Sequence, residues 1–109
     1  MSLDVSISSR AEQDMTLQHR WYLENADSDV AERYLLAVHE TILRIAEWPS
    51  LGRQRHFRAP ELMSIRSIQI KRPFDCHLLF YMDSDILRIE RIMHGARDLP
   101  ARLLQDPQP

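Results

Sequence analysis

Three residues able to move protons or hold anions, His94, Arg97 and Asp98, follow closely on the β-prone run Ile86-Leu87-Arg88-Ile89-Glu90-Arg91-Ile92-Met93, with Gly95 among them. A strand that ends at a glycine and delivers an imidazole, a guanidinium and a carboxylate presents them from a rigid edge. His94 can shuttle a proton near neutral pH, or simply hydrogen-bond the backbone of the turn. Arg91 is in phase with Leu87, Ile89 and Met93, so it would share a face with apolar neighbours, where a charge needs a partner. A structural ion pair, with Asp98 as the candidate partner, is the simpler reading, and a ligand contact is the other.

A second cationic group lies mid-chain. Residues 51–72 hold six basic side chains and one acidic, whereas residues 1–50 hold four basic and nine acidic. Arg53, Arg55, Arg58, Arg66, Lys71 and Arg72, with Arg91 and Arg97 arriving from the last strand, could surround a polyanion or an acidic partner. Equally, arginines scattered around loops form an ordinary solvated surface. The overall net charge of −2 argues against a dedicated nucleic-acid binder.

Other chemistries drop out. With glycine only at positions 52 and 95, the chain has no phosphate-cradling glycine loop and no nucleophile elbow. The five histidines, at 19, 39, 56, 77 and 94, have no local zinc spacing, so neither a metal nor a cofactor is expected. Cys76 stands beside His77, but neighbours on an extended strand point to opposite faces and make a poor nucleophile-base pair. One cysteine cannot form an internal disulfide framework and suits a reducing compartment. The first residues lack a signal-peptide pattern, and no window approaches the roughly 18 apolar residues of a membrane span. A cytoplasmic protein with no membrane partner is expected.

The elements that must position these groups follow from periodicity. Val5 to Ser8 alternates as a short strand. From Arg10 to about Asn25, Ala11, Met15, Leu17, Trp21 and Tyr22 gather on one helical arc. After a polar break, Asp27, Ser28 or Asp29 can cap a second helix, in which Ala31, Leu35, Val38, Ile42 and Ile45 recur at helical spacing until Pro49 stops it. A break this short predicts an antiparallel helix hairpin. Arg53 to Arg58 has too little apolar content for a core element and reads as a solvated loop. Three strands follow, at Met63 to Ile70, His77 to Met82 and Ile86 to Met93, joined by short turns that permit a meander. Ile65 and Ile68 cannot share a face of a regular strand, which predicts a bulge or a late strand start. A final helical turn is expected at Leu99 to Leu104. The fold class is α+β: a small, antiparallel-rich twisted sheet, made of the N-terminal strand and the C-terminal meander, packed against a helical hairpin.

These residues also resemble a known family. Ala11 with Asp14, an aromatic at Tyr22, Ala31 with Arg33, the turn Pro49-Ser50-Leu51-Gly52, Arg66, Pro73-Phe74, Phe80-Tyr81 and the ending His94-Gly95-Ala96-Arg97-Asp98 stand in the order seen in the RelE/ParE superfamily of small toxins. The resemblance runs over nearly the whole chain and implies one toxin domain over residues 1–109, with its last residues frayed. It further implies a partner antitoxin that wraps the toxin with an extended or helical segment. Trp21, Trp48, Phe57, Phe74 and five methionines could leave apolar area at the helix edges for such a segment, or fill the core.

Within the superfamily, function divides. RelE-like members cut messenger RNA on the ribosome without metal, which requires basic side chains on the phosphorane and an acid or base near the attacking hydroxyl. They typically carry an arginine in the third strand and a tyrosine or histidine after the last. His77-Leu78-Leu79-Phe80-Tyr81-Met82 contains no arginine, and no Phe, Trp or Tyr follows Tyr81. The resemblance therefore favours the ParE-like branch, whose members are thought to inhibit DNA gyrase by protein contact and need no catalytic residues. Contact with partners would then fall to Arg53, Arg55, Arg58, Arg66, Arg91 and Arg97. The alternative is a variant ribosome-dependent endoribonuclease using His94 as acid or base, with Arg66, Arg91 and Arg97 on the phosphate. A third reading is an inactive member that retains only antitoxin binding.

Overall fold

Local chemistry accounts for where the helices begin and end in the structure, a computed structural model that describes residues 2–95 and 99–107, without the side chains of 99–101. Strand β1 (Val5–Ile7) runs into helix α1 (Ser9–Asn25), whose first turn is capped by the Ser8 hydroxyl accepting from the Ala11 N–H. Helix α2 (Ser28–Glu47) is capped by the Asp27 carboxylate, 2.8 Å from the Val30 nitrogen, so among the candidate caps Asp27 is the one used. Pro49 diverts the chain into a 3₁₀ turn over Pro49–Leu51.

The remaining strands are β2 (Arg53–Gln54), β3 (Arg66–Gln69), β4 (His77–Asp83) and β5 (Leu87–His94), and helix α3 spans Leu99–Leu104. They form one sheet in the order β1-β5-β4-β3-β2. The meander β3-β4-β5 is antiparallel as expected, and β1 joins it parallel to β5, in register from Val5 with Leu87 to Ile7 with Ile89.

The helix hairpin covers one face of this sheet. Ala11, Tyr34, Val38, Ile42 and Ile45 pack there against Ile70, Phe74, Leu79, Tyr81, Leu87, Ile89 and Ile92. A smaller apolar cluster, Leu62, Ile65, Phe80, Met93 and Leu103, lies apart from this core and is flanked by Phe57, Ala59, Leu78 and Met82.

Three expectations are corrected. Arg53 to Arg58 is not wholly a solvated loop. Arg53 and Gln54 pair with Ser67 and Arg66 as an edge strand, and Phe57 packs on the second cluster, because a single aromatic anchor suffices where a sheet face would otherwise be bare. The strand foreseen from Met63 begins only at Arg66, after a 3₁₀ turn at Pro60–Leu62, which lets Ile65 join the second cluster while Ile68 packs on the first. That late start is one of the two alternatives the Ile65–Ile68 phase slip predicts, and a bulge not foreseen occurs in β5. Tyr81 pairs with Ile89 but Phe80 with Arg91, so Glu90 is an extra residue. Beyond it the phase flips. Leu87 and Ile89 lie in the helix-side core, whereas Met93 belongs to the other cluster and Ile92 takes its place.

Candidate functional site

Beyond β1 the edge of β5 would be open, and its backbone groups need partners. Helix α1 supplies them. The Ser8 hydroxyl donates to the Glu90 carbonyl at 2.8 Å, and Asp14 Oδ2 accepts from the Ile92 N–H at 3.0 Å. Asp14 also receives a two-pronged bond from Arg91, Nε to Oδ2 at 2.8 Å and Nη2 to Oδ1 at 3.0 Å. Arg91 Nη1 donates to the carbonyls of Arg102, Leu103 and Gln105, closing the C-terminal end of α3 where unpaired carbonyls and the helix dipole favour a cation. The ion pair expected of Arg91 therefore exists, but with Asp14, 77 positions away, and not with Asp98, which lies outside the described residues. One guanidinium joins β5, α1 and α3.

Beside this pin, an open groove of about 570 Å³ runs between the second half of α1 and the stretch from α3 to Asp106. Gln18, Trp21 and Tyr22 form one wall, Arg102 and Gln105 the other, and Ile92, Met93 and His94 line it between them. Trp21, assigned by periodicity to the apolar arc, is 54% exposed there, while Tyr22 turns inward. The Tyr22 hydroxyl lies 2.9 Å from His77 Nε2, and the His77 ring stands 5.1 Å from that of His94, its partner across the β4–β5 ladder.

His77 is 1% exposed. Burial first, and the nearby His94 second, push its pKa down to about 4. A histidine depressed in the folded state binds its proton more readily when unfolded, so the chain should lose stability as pH falls from about 6.5 towards 4. The loss should approach roughly 3 kcal/mol and level off below that range. Urea titrations across this window check it, and His77→Gln should flatten the dependence.

The mid-chain arginines fall on the other side of the molecule. Arg53 and Arg58 are exposed and make no ion pair among the described residues, whereas Arg55 donates to Ser67 Oγ at 2.7 Å and lies 6.0 Å from the Phe80 ring centroid. Burial, and then the Arg53 charge, hold the Arg55 guanidinium below its ordinary range. Arg66 pairs across the ladder with Tyr81, reaches Asp83 at 3.3 Å and donates to the Gly52 carbonyl at 2.9 Å. Arg53 and Arg55 sit beside Ser67, on the side of the sheet that carries Phe80, whereas Arg66 lies on the Tyr81 side of the same sheet edge. Arg66 and Arg91 are likewise apart, because their ladder partners Tyr81 and Phe80 project to opposite faces. Arg97 lies outside the described residues. No group of three metal-ligating side chains and no helix long and apolar enough to cross a membrane occurs among the described residues.

Against this architecture, residues 5–99 match the family model of the ParE toxin of the type II toxin-antitoxin system parDE. The chain belongs to the ParE toxin family. A solved chain of the chromosomal ParDE toxin-antitoxin system from P. aeruginosa is similar in fold, with a TM-score of 0.69 at 14% identity, covering 87% of this chain and 98% of that one. No curated protein matches by sequence. This member of the family thus carries a groove, a part-buried Tyr22–His77 pair and an Arg91–Asp14 pin that no short-range motif announces. The one available signal was the lone acid Asp14 on the otherwise apolar side of α1, between Ala11 and Met15.

Proposed function

We propose that this chain inhibits DNA gyrase by protein contact and is silenced by a cognate antitoxin. One observation carries the preference over RNA cleavage: Arg91 and Arg66, two of the cations a phosphorane site would need, are bonded to Asp14 and Asp83 and to backbone carbonyls. Redirecting Arg91 to a phosphate would leave Asp14 buried and unmatched. The gyrase contact is assigned to the outward cations Arg53 and Arg58, with Arg55, Arg66 and Arg97 as the further candidates. Arg91 contributes by holding the scaffold. The antitoxin is assigned to the outer side of α2, where Leu36 and Leu43, seven residues apart, and Trp48 are each more than half exposed. An amphipathic helix buries such a stripe.

Purified protein should inhibit gyrase supercoiling or trap cleaved DNA, and the antitoxin encoded beside it should restore the activity. Reversing both outward charges, Arg53→Glu with Arg58→Glu, should raise the concentration needed by about tenfold. Intact supercoiling together with rapid cleavage of transcripts on ribosomes would replace this reading with the ribonuclease one.

A further inference from the structure

Neither the outward arginines nor the α2 stripe accounts for the groove between α1 and α3. Its charge is one-sided. Asp14 is matched by Arg91, and Asp106 by Arg10 at 3.2 Å, so the acids lining it are paired. Arg102 uses one nitrogen, donating to the His94 carbonyl at 3.1 Å, and its other N–H groups have no protein acceptor among the described residues. The side-chain amides of Gln18 and Gln105 also make no hydrogen bond among the described residues. Trp21 holds a large indole half in solvent, braced edge-on against Tyr22 with ring centroids 5.5 Å apart. A braced indole left exposed is a platform for a flat ring. Planar amides on both walls can read the edge of such a ring, and a guanidinium pairs in forked geometry with phosphate. The volume, about 570 Å³, is in the range of small-molecule sites.

We infer that this groove binds a nucleotide, its base stacked on Trp21 and edged by Gln18 or Gln105, its phosphate on Arg102 beside His94. Base and phosphate could come from a free mononucleotide or from a single strand of nucleic acid. The inference does not depend on gyrase being the target.

Trp48→Phe leaves Trp21 as the sole indole. In that background AMP should quench Trp21 emission with a dissociation constant on the order of 0.1–1 mM. Adenosine and inorganic phosphate should each bind at least about tenfold more weakly, since each keeps half the contacts. Arg102→Gln should weaken AMP about tenfold and leave adenosine unchanged. Trp21→Ala, followed by calorimetry, should lose AMP binding about tenfold or more while the protein stays folded with only a modest drop in melting temperature, because half of the ring is already in solvent. A single-stranded adenine tetramer that binds more tightly than AMP, with a steeper salt dependence, would name the strand as source; equal affinity would name the mononucleotide. No response to about 10 mM AMP, or unchanged affinity in Trp21→Ala, overturns the inference.

Discussion

Replacing Asp14 with alanine is expected to destabilise the protein by about 3–5 kcal/mol, the usual cost of removing one partner from a buried ion pair. The side chains of Arg91 and Asp14 are 5% and 8% exposed, so water cannot stand in for the missing carboxylate. The Ile92 N–H loses its acceptor in the same step. Small domains are stable by about 5–15 kcal/mol, and such a loss leaves the folded state marginal at growth temperature. Urea unfolding of Asp14→Ala measures it, and a loss below about 1 kcal/mol would show that the three carbonyl bonds suffice to hold Arg91. The double change Asp14→Leu with Arg91→Met should recover part of the loss, since two apolar side chains need no mutual charge. It should not recover all. The end of α3 and the edge of β5 would still lack their donor and acceptor.

Gly52→Ala is expected to cost about 2–3 kcal/mol, and the cause is space. The Gly52 backbone, at φ −71° and ψ 151°, suits any residue. A Cβ there, however, would stand 2.4 Å from Tyr81 Oη and 2.7 Å from Cε1. Tyr81 cannot step aside. It is fully buried, its hydroxyl donates to the Pro49 carbonyl at 2.7 Å, and it accepts from the Gly52 N–H at 2.8 Å. Tyr81→Phe, which deletes both bonds without touching the shape, should cost about 1–3 kcal/mol by leaving a buried N–H unmatched. Because Gly52 leads directly into Arg53 and accepts from Arg66, Gly52→Ala should also displace the arginine edge and, on the proposed gyrase contact, weaken inhibition beyond its effect on folding. Thermal melts and supercoiling assays on the same preparations separate the two, and wild-type stability in Gly52→Ala would refute the account.

The helices were readable because their signals are local. Asp27 before an apolar period of three and four, and Pro49 after it, demand no knowledge of the rest of the chain. The meander was readable for the same reason, since short turns between β-prone runs leave few ways to pair them. The Arg91 partner was not. Strand phase placed Arg91 among Leu87, Ile89 and Met93, but the extra residue Glu90 moved it to the opposite side, within reach of Asp14 and the end of α3. Phe57 was hidden by the arginines around it, although one ring is enough to tie that segment to the sheet. Trp21 and Tyr22 are adjacent and equally apolar in outline, yet only Tyr22 meets His77, so the other ring is left to line the groove.

From sequence alone came the α+β class, the helix hairpin and the antiparallel meander, which rest on spacing within about one element's length, together with the list of arginines and a toxin-superfamily resemblance carried by the order of short motifs along nearly the whole chain. Tertiary structure alone decided which arginines are engaged and which face outward. It also decided that His77 meets Tyr22, and that a groove opens beside Trp21. Those outcomes turn on pairings as far as 96 positions apart, and at β5 a single bulged residue reverses the register that sets them.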